Sequence, residues 1–230
     1  RILVDSAFKN SPQGIPPLFK KGHFLTTTVK VDNVLTNKEQ VDSSRRIAMM
    51  AAQEKQKALA DEQLKLDDKT LQDYFKKNNI TAVKGALGTY VQVLQPGAGP
   101  NIDTTVSTQI NYTGKTMEGK AFDSNTDPAF NHVQPLLVNM TTDPMLGVSV
   151  IPGWTDGLKL LNKGAKAKFF IPSSLAYGSQ GSGEDIKPNA ILVFDVEVLD
   201  ILDKTNAMMA QQQAQKQMEI LQKQYMDSMQ

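Results

Sequence analysis

The run Val150-Ile151-Pro152-Gly153-Trp154 holds the single tryptophan of the chain, and Tyr112, Phe122-Asp123, Ala176-Tyr177-Gly178 and Phe194 fall at strand ends and turns around it. Rings with so few titratable neighbours would make a shallow apolar pocket suited to an extended apolar segment. Polar catalysis has little to work with here. The two histidines, His23 and His132, lie in different segments with no local partner, and each reads as a surface residue, not as a base or metal ligand. Gly181-Ser182-Gly183-Glu184-Asp185 reads as a loop, because neither a strand–loop–helix context nor a following Lys-Ser/Thr makes it a phosphate cradle. The adjacent carboxylates of Glu184 and Asp185 read as solvated. With no cysteine, disulfides and thiolate chemistry are excluded. No cofactor and no metal site is expected.

The elements that must position those rings follow from composition and periodicity. At 230 residues, 40% hydrophobic and 21% charged, the chain is an ordinary soluble sequence with room for one generous domain or two small ones. A net charge of +1 gives no field able to hold nucleic acid or an anionic membrane. No segment reaches the ~18–20 apolar residues of a membrane helix. The chain opens Arg1-Ile2-Leu3-Val4-Asp5, with neither an initiator methionine nor a signal-peptide layout, and is expected to lack its native start.

Four segments are expected. Residues 1–36 end in a β-branched strand, Phe24 to Val31. Residues 37–66 read as a connecting helix, opened by a Thr36/Glu39 capping box and carrying only a weak stripe of Ile47, Met50, Ala51, Ala58 and Leu59. Residues 67–203 read as the compact domain. Within it, Asp67 or Asp68 would cap a short helix bearing Leu71, Tyr74 and Phe75. A strand at Tyr90–Gln95 precedes the turn cluster Pro96-Gly97-Ala98-Gly99-Pro100. From 106 to 112, Val106, Thr108, Ile110 and Tyr112 share one face, with Ser107, Gln109 and Asn111 on the other, and Glu118-Gly119 turns the chain before Phe122. Lys166–Ile171 and Ile191–Leu202 alternate in the same way, pointing Leu192, Phe194, Val196 and Val198 inward. Gly153–Leu161 reads as one short amphipathic helix bearing Trp154, Leu158 and Leu161. One short helix across a twisted antiparallel sheet is an α+β architecture. Residues 204–230 read as a helix with Ala207, Ala214, Met218, Leu221 and Tyr225 on one side, for packing on the connecting helix, self-association or client binding.

Taken in order, Ile110-Asn111-Tyr112-Thr113-Gly114, Phe122-Asp123-Ser124, Val150-Ile151-Pro152-Gly153-Trp154, Ala176-Tyr177-Gly178 and Ile191-Leu192-Val193-Phe194-Asp195-Val196-Glu197-Val198 resemble the FK506-binding-protein (FKBP) family of peptidyl-prolyl cis–trans isomerases over residues 86–203. The layout of the preceding helix resembles exported Mip- and FkpA-like bacterial members. The resemblance implies a sheet wrapped on one short helix and a non-covalent isomerase of proline-containing polypeptides, with possible FK506-like macrolide binding. It implies Trp154 as the pocket floor, Tyr112, Phe122 and Phe194 as walls, and Val150 and Ile151 as sides. The Tyr177 hydroxyl and Ile151 N–H would serve ligand carbonyls, with Asp123 at the rim. Leu136 and Val138 stand where the family usually has aromatic residues, and Ser182 and Asp185 make the loop after Tyr177 more polar than usual.

A non-catalytic chaperone or peptide-binding module of the same fold is the alternative, and an assembly protein of the envelope a third. The resemblance also implies a periplasmic or envelope location and a possible homodimer through the helices. Residues 1–36 loosely parallel residues 174–198, as the tail of a degenerate second copy in which Phe8 replaces Tyr177 and Thr27 replaces Phe194. An unrelated strand and loop remains open for that segment.

Overall fold

The computed structural model describes residues 1–9, 15–16, 18–28 and 37–228. They form two compact units, Arg1–Gln53 and Glu54–Gln230. In the first, β1 (Ile2–Leu3) leads into the single turn α1 (Val4–Ala7) and pairs antiparallel with β2 (Phe24–Leu25). Val4 is buried, Phe8 packs on Phe19 at 5.3 Å, and Gly22 N–H donates to Asp5 Oδ2 at 2.7 Å. Of the expected strand only Phe24 and Leu25 pair; Thr26, Thr27 and Thr28 lie outside any strand, and Val29, Lys30 and Val31 lie outside the described residues. So does Thr36. The start of α2 (Lys38–Asn78) is capped instead by Asn37, whose Oδ1 accepts from Gln40 N–H at 2.9 Å.

Helix α2 runs unbroken past Asp67 and Asp68, so the expected cap at those residues is absent. The reason is long-range. The Asp67 carboxylate is buried and accepts from Ser173 N–H (2.7 Å), Ser173 Oγ (2.6 Å) and Gln63 Nε2 (2.7 Å). Asp68 is held by Lys84 and by the Tyr90 hydroxyl.

The second unit is built on one antiparallel sheet. Its strands are β3 (Val83–Lys84), β4 (Tyr90–Gln95), β6 (Ser107–Thr116), β7 (Ala121–Ser124), β8 (Leu136–Asn139), β10 (Lys166–Ile171) and β11 (Leu192–Leu202). A separate pair joins β5 (Ala98–Asn101) to β9 (Asn162–Lys163), so the expected Pro96–Pro100 turn gives way to a short strand. Order across the main sheet is β3-β4-β10-β11-β6-β7, with β8 also on β6. The register places Phe194 opposite Gly114 and Val196 opposite Tyr112. Period-2 alternation holds along β11, where Leu192, Phe194, Val196 and Val198 are buried. Asp195 and Glu197 lie on the other face, paired with Lys115, Lys168 and Lys166. Ser107 departs from the pattern: it is buried, and its hydroxyl donates to Leu146 O at 2.7 Å.

Across the inner face lies α3 (Pro152–Leu158), shorter than expected. Leu161 still reaches the core, through a tight turn closed by its N–H to Leu158 O at 2.9 Å. The helix sits close on the sheet because Gly153 and Gly157 face it. A Cβ at these positions would come within 2.2 Å of Ile171 Cγ2 and 2.8 Å of Phe169 Cε2. Asp156, also buried, accepts from the N–H groups of Leu87, Gly88 and Thr89 at 3.0–3.1 Å and ties that loop to α3.

The sheet has a second core that inward alternation alone did not foresee. Leu71 and Phe75 of α2 pack with Tyr90, Phe170, Ile191 and Val193. Burial of such side chains contributes roughly 1.5–3 kcal/mol each, which makes the end of α2 part of the domain. Helix α4 (Lys204–Ser228) begins where Ala207 is buried near the Pro144–Leu146 turn, with Lys204 paired to Asp143. Met218 on its expected apolar side is exposed; the side chains of Leu221 and Tyr225 lie outside the description.

Candidate active site

The cavity that collects the aromatic residues has a volume of about 240 Å³. It is lined by Tyr112 from β6, Phe122 and Asp123 from β7, Leu136 from β8, Val150 and Ile151 before α3, Trp154 on α3, Tyr177 and Phe194 on β11. Trp154 is nearly fully buried, as a floor would be. Pro152 at the first turn of α3 fixes the entry angle, and Trp154 N–H closes that turn onto Ile151 O at 3.0 Å. The rings meet edge to face: Trp154 with Tyr112 at 5.1 Å and 81°, Trp154 with Phe194 at 5.1 Å and 80°, and Phe122 with Phe194 at 5.6 Å and 87°. Such contacts exceed simple burial by about 0.5–1.5 kcal/mol each, and they fix the walls in place.

Val138 is the one expected site residue not brought into the cavity. Strand alternation does place it on the same face as Leu136, but two residues deeper. There it is fully buried, bridged to Val148, and belongs to the core. Ser182 and Asp185 do not line the cavity either. Ser182 pairs with Ile186 across its loop, and Asp185 binds Lys120. The structure adds Val148 and Ser149 to the lining.

Few polar groups reach this space. Asp123 has both oxygens engaged: Oδ2 accepts from the Tyr112 hydroxyl at 2.7 Å, and Oδ1 lies 2.7 Å from His132 Nε2. His132 is therefore no isolated surface residue; its ring also tilts toward Tyr112 at 6.5 Å. Burial pushes the Tyr112 phenol up from its ordinary value, reinforced by its hydrogen bond to Asp123, the Asp123 charge and Tyr177. It stays a donor. Behind the wall, Asn125 is buried and locks β6 to the following connection. Its Oδ1 accepts from Tyr112 N–H at 2.7 Å, while its Nδ2 donates to Ile110 O and Gln134 O, both at 3.0 Å.

Tyr177 is more than a third exposed at the mouth, delivered by the turn Ser173–Leu175. The Ile151 N–H takes part in no backbone hydrogen bond among the described residues. One ring hydroxyl and one amide thus stand beside an apolar floor. The signal for His132 lay in the connection itself. Asp127 caps a 3-10 turn at Pro128–Phe130, Asn131 follows with a left-handed φ of 60°, and the chain reverses to bring His132 back over Asp123.

Comparison with known proteins identifies the family of the chain. Residues 99–199 match the family described as FKBP-type peptidyl-prolyl cis-trans isomerase. The chain is 36% identical over 117 residues to the "FK506-binding protein" of Neisseria meningitidis serogroup B, covering 50% of this chain and 98% of that one. It is 34% identical over 155 residues to a "Probable FKBP-type peptidyl-prolyl cis-trans isomerase" of Haemophilus influenzae, covering 67% of this chain and 59% of that one. To FkpA of Aeromonas hydrophila it is 34% identical over 191 residues, covering 75% and 66%. The chain thus spans about three fifths to two thirds of the length of these last two relatives. It belongs to the FKBP-type peptidyl-prolyl cis–trans isomerase family.

Proposed function

We propose that the protein is a peptidyl-prolyl cis–trans isomerase that acts on extended, proline-containing segments of folding polypeptides. The observation that carries this is the cavity itself: five rings, a buried indole floor, and one carboxylate already hydrogen-bonded at both oxygens. An X–Pro bond is nearly balanced between cis and trans, yet a barrier of ~18–20 kcal/mol separates the two. Crossing it breaks no covalent bond. The catalyst has only to bind the twisted amide better than the planar one. A twisted amide loses resonance and becomes less polar, so an apolar pocket that excludes water favours it.

Within this reading the proline ring lies on Trp154 between Tyr112, Phe122 and Phe194, with Val150, Ile151 and Leu136 as aliphatic sides. The Ile151 N–H and Tyr177 hydroxyl hold carbonyls of the substrate. Asp123, oriented by Tyr112 and His132, sets the field at the rim. An FK506-like macrolide would compete for the same floor. A periplasmic or envelope location in a bacterium and a homodimer joined through the helices belong to the same proposal. Both are open to cell fractionation and sedimentation.

Isomerisation of a short X–Pro peptide, followed by the protease-coupled change in rate, tests the activity. Acceleration that disappears in a folded Trp154→Leu variant is the expected result. No acceleration, with aggregation of a client still suppressed, would leave the second reading, a binding module without turnover. The observation that favours this second reading is the aliphatic rim at Leu136, which offers no ring to stack on a substrate.

A further inference from the structure

A second cleft, of about 530 Å³, opens on the other side of Tyr177. One wall is a face of α2: Gln56, Leu59, Ala60 and Gln63 stand at i, i+3, i+4 and i+7, the spacing of a single helical stripe. The opposite wall is the stretch around the turns after Ser173, with Ser174, Ala176, Ser179 and Gln180, and Asn189 at the edge. Both walls lie within the Glu54–Gln230 unit. Tyr177 lines this cleft and the aromatic cavity alike, so the two spaces meet at one residue.

The lining chemistry narrows the occupant. Among the described residues no charged side chain lines the cleft, which gives an ion or an acidic or basic tail nothing to pair with. What it offers is amides and hydroxyls that both donate and accept, beside an apolar strip of Leu59, Ala60 and Ala176. Leu59 is 57% exposed although it faces this wall, so its apolar surface is still open to a partner. Alternating main-chain N–H and C=O groups need partners of both kinds, and an uncharged polypeptide brings apolar side chains at the same time. A cleft that continues from a prolyl pocket through a shared tyrosine would hold residues next to the proline.

We propose that this cleft binds the uncharged, extended stretch of polypeptide flanking the proline seated in the aromatic cavity, making α2 a part of the substrate site. The proposal rests on reading the aromatic cavity as the prolyl site. Affinity for the flank comes from Leu59 and the surrounding amides, while the chemistry of isomerisation stays with the aromatic cavity. A short substrate would not reach α2. A longer one would gain binding with no change in the rate of the bound state, the signature of uniform binding.

The test compares a four-residue X–Pro peptide with a twelve-residue peptide of neutral flanks, measuring both dissociation constants by calorimetry and both sets of rate constants. The variant is Leu59→Arg, an exposed helical position at which arginine keeps helix propensity; circular dichroism and the unfolding midpoint confirm its fold. We expect the wild-type chain to bind the long peptide more tightly than the short one. Leu59→Arg should weaken the long peptide about tenfold, the scale of one good contact, and leave the short peptide unchanged. Equal affinities for the two peptides in the wild-type chain, or a long-peptide affinity untouched by Leu59→Arg, would overturn the proposal. Because calorimetry needs no turnover, absence of isomerisation with the affinity pattern intact would count against the activity and not against the cleft.

Discussion

Replacing Asp67 is the sharpest test of how the long helix is tied to the domain. Its carboxylate is 4% exposed and accepts two hydrogen bonds from Ser173, at 2.7 and 2.6 Å, with a third from Gln63. Ser173 is itself 1% exposed, so neither of its donors can turn to water when the acceptor goes. An unsatisfied buried donor costs ~1–3 kcal/mol, and two of them set a loss of about 2–6 kcal/mol for Asp67→Ala. Against a domain stability on the order of 5–15 kcal/mol that is a large fraction. Asp67→Asn keeps one oxygen for Ser173 and gives up mainly the charge assistance, so its loss should be smaller, about 1–2 kcal/mol. Urea unfolding at neutral pH reads both values, with the slope unchanged if only stability moves. Ser173 also opens the turn that delivers Tyr177, so turnover of a short X–Pro peptide should fall in the alanine variant even below its unfolding midpoint. An alanine variant within ~1 kcal/mol of wild type, or an asparagine variant no better than alanine, would refute the anchoring role.

Three further outcomes are expected. Gly114→Ala would place a Cβ 2.7 Å from both Phe122 Cζ and Phe194 Cε1, so the two walls must part. Short-peptide kcat/KM should drop at least about tenfold for a stability cost of ~1–3 kcal/mol, typical of overpacking. Tyr112→Phe and His132→Ala each free one oxygen of Asp123, and each should lower kcat more than it raises KM. Because burial and Asp123 raise the Tyr112 pKa, its neutral form is favoured by the fold. Its contribution is present below the ordinary tyrosine value of ~10 and lost as pH rises through the higher folded value; an ultraviolet titration should show a raised phenol step that is missing in Tyr112→Phe. Desolvation alone would raise Asp195, yet Lys115 and Lys168 outweigh it and hold its pKa below the ordinary value. That stabilisation is present above ~3.9 and fades as pH falls through the folded value. Asp195→Asn should flatten the acid limb of the stability curve by ~0.2–1 kcal/mol, less in high salt, since the cluster is partly exposed.

Local periodicity made the inner sheet legible and left its outer cover invisible. The strands at Lys166–Ile171 and along β11 stand where alternation puts them: Leu192, Phe194, Val196 and Val198 face the core, while Lys166 and Lys168 pair with Glu197 and Asp195 on the other face. Ile191 and Val193 sit on the outer face, and their burial depends on Leu71 and Phe75 arriving from α2. Nothing local to β11 announces that partner. Asp67 failed as a cap for the same reason: an aspartate ahead of an apolar helical face has the local form of an N-cap, while its actual partner is 106 residues further along. Leu161 shows the opposite case. A tight turn and a helix both carry i to i+3 contacts, so the spacing from Leu158 was right and the element too long.

The site divides along the same line. Tyr112, Phe122, Trp154 and Phe194 belong to regular elements or to a proline-opened helix, where type and spacing fix direction, and the structure brings them to one cavity. His132 sits in a connection with no period, and its partnership with Asp123 depends on the left-handed turn at Asn131. That difference bears on mechanism. A rim carboxylate free to accept a proton would invite general-base chemistry; Asp123 has one oxygen on a phenol held protonated by burial and the other on His132. Under the proposed function its part is to orient and to polarise. Removing His132 would leave the floor intact and the carboxylate half-free, whereas removing Trp154 would leave Asp123 oriented over a hole. If isomerisation depends on an apolar, dry floor more than on rim polarity, the tryptophan variant must lose far more activity than the histidine variant. The reverse ranking would transfer the catalytic burden to the rim.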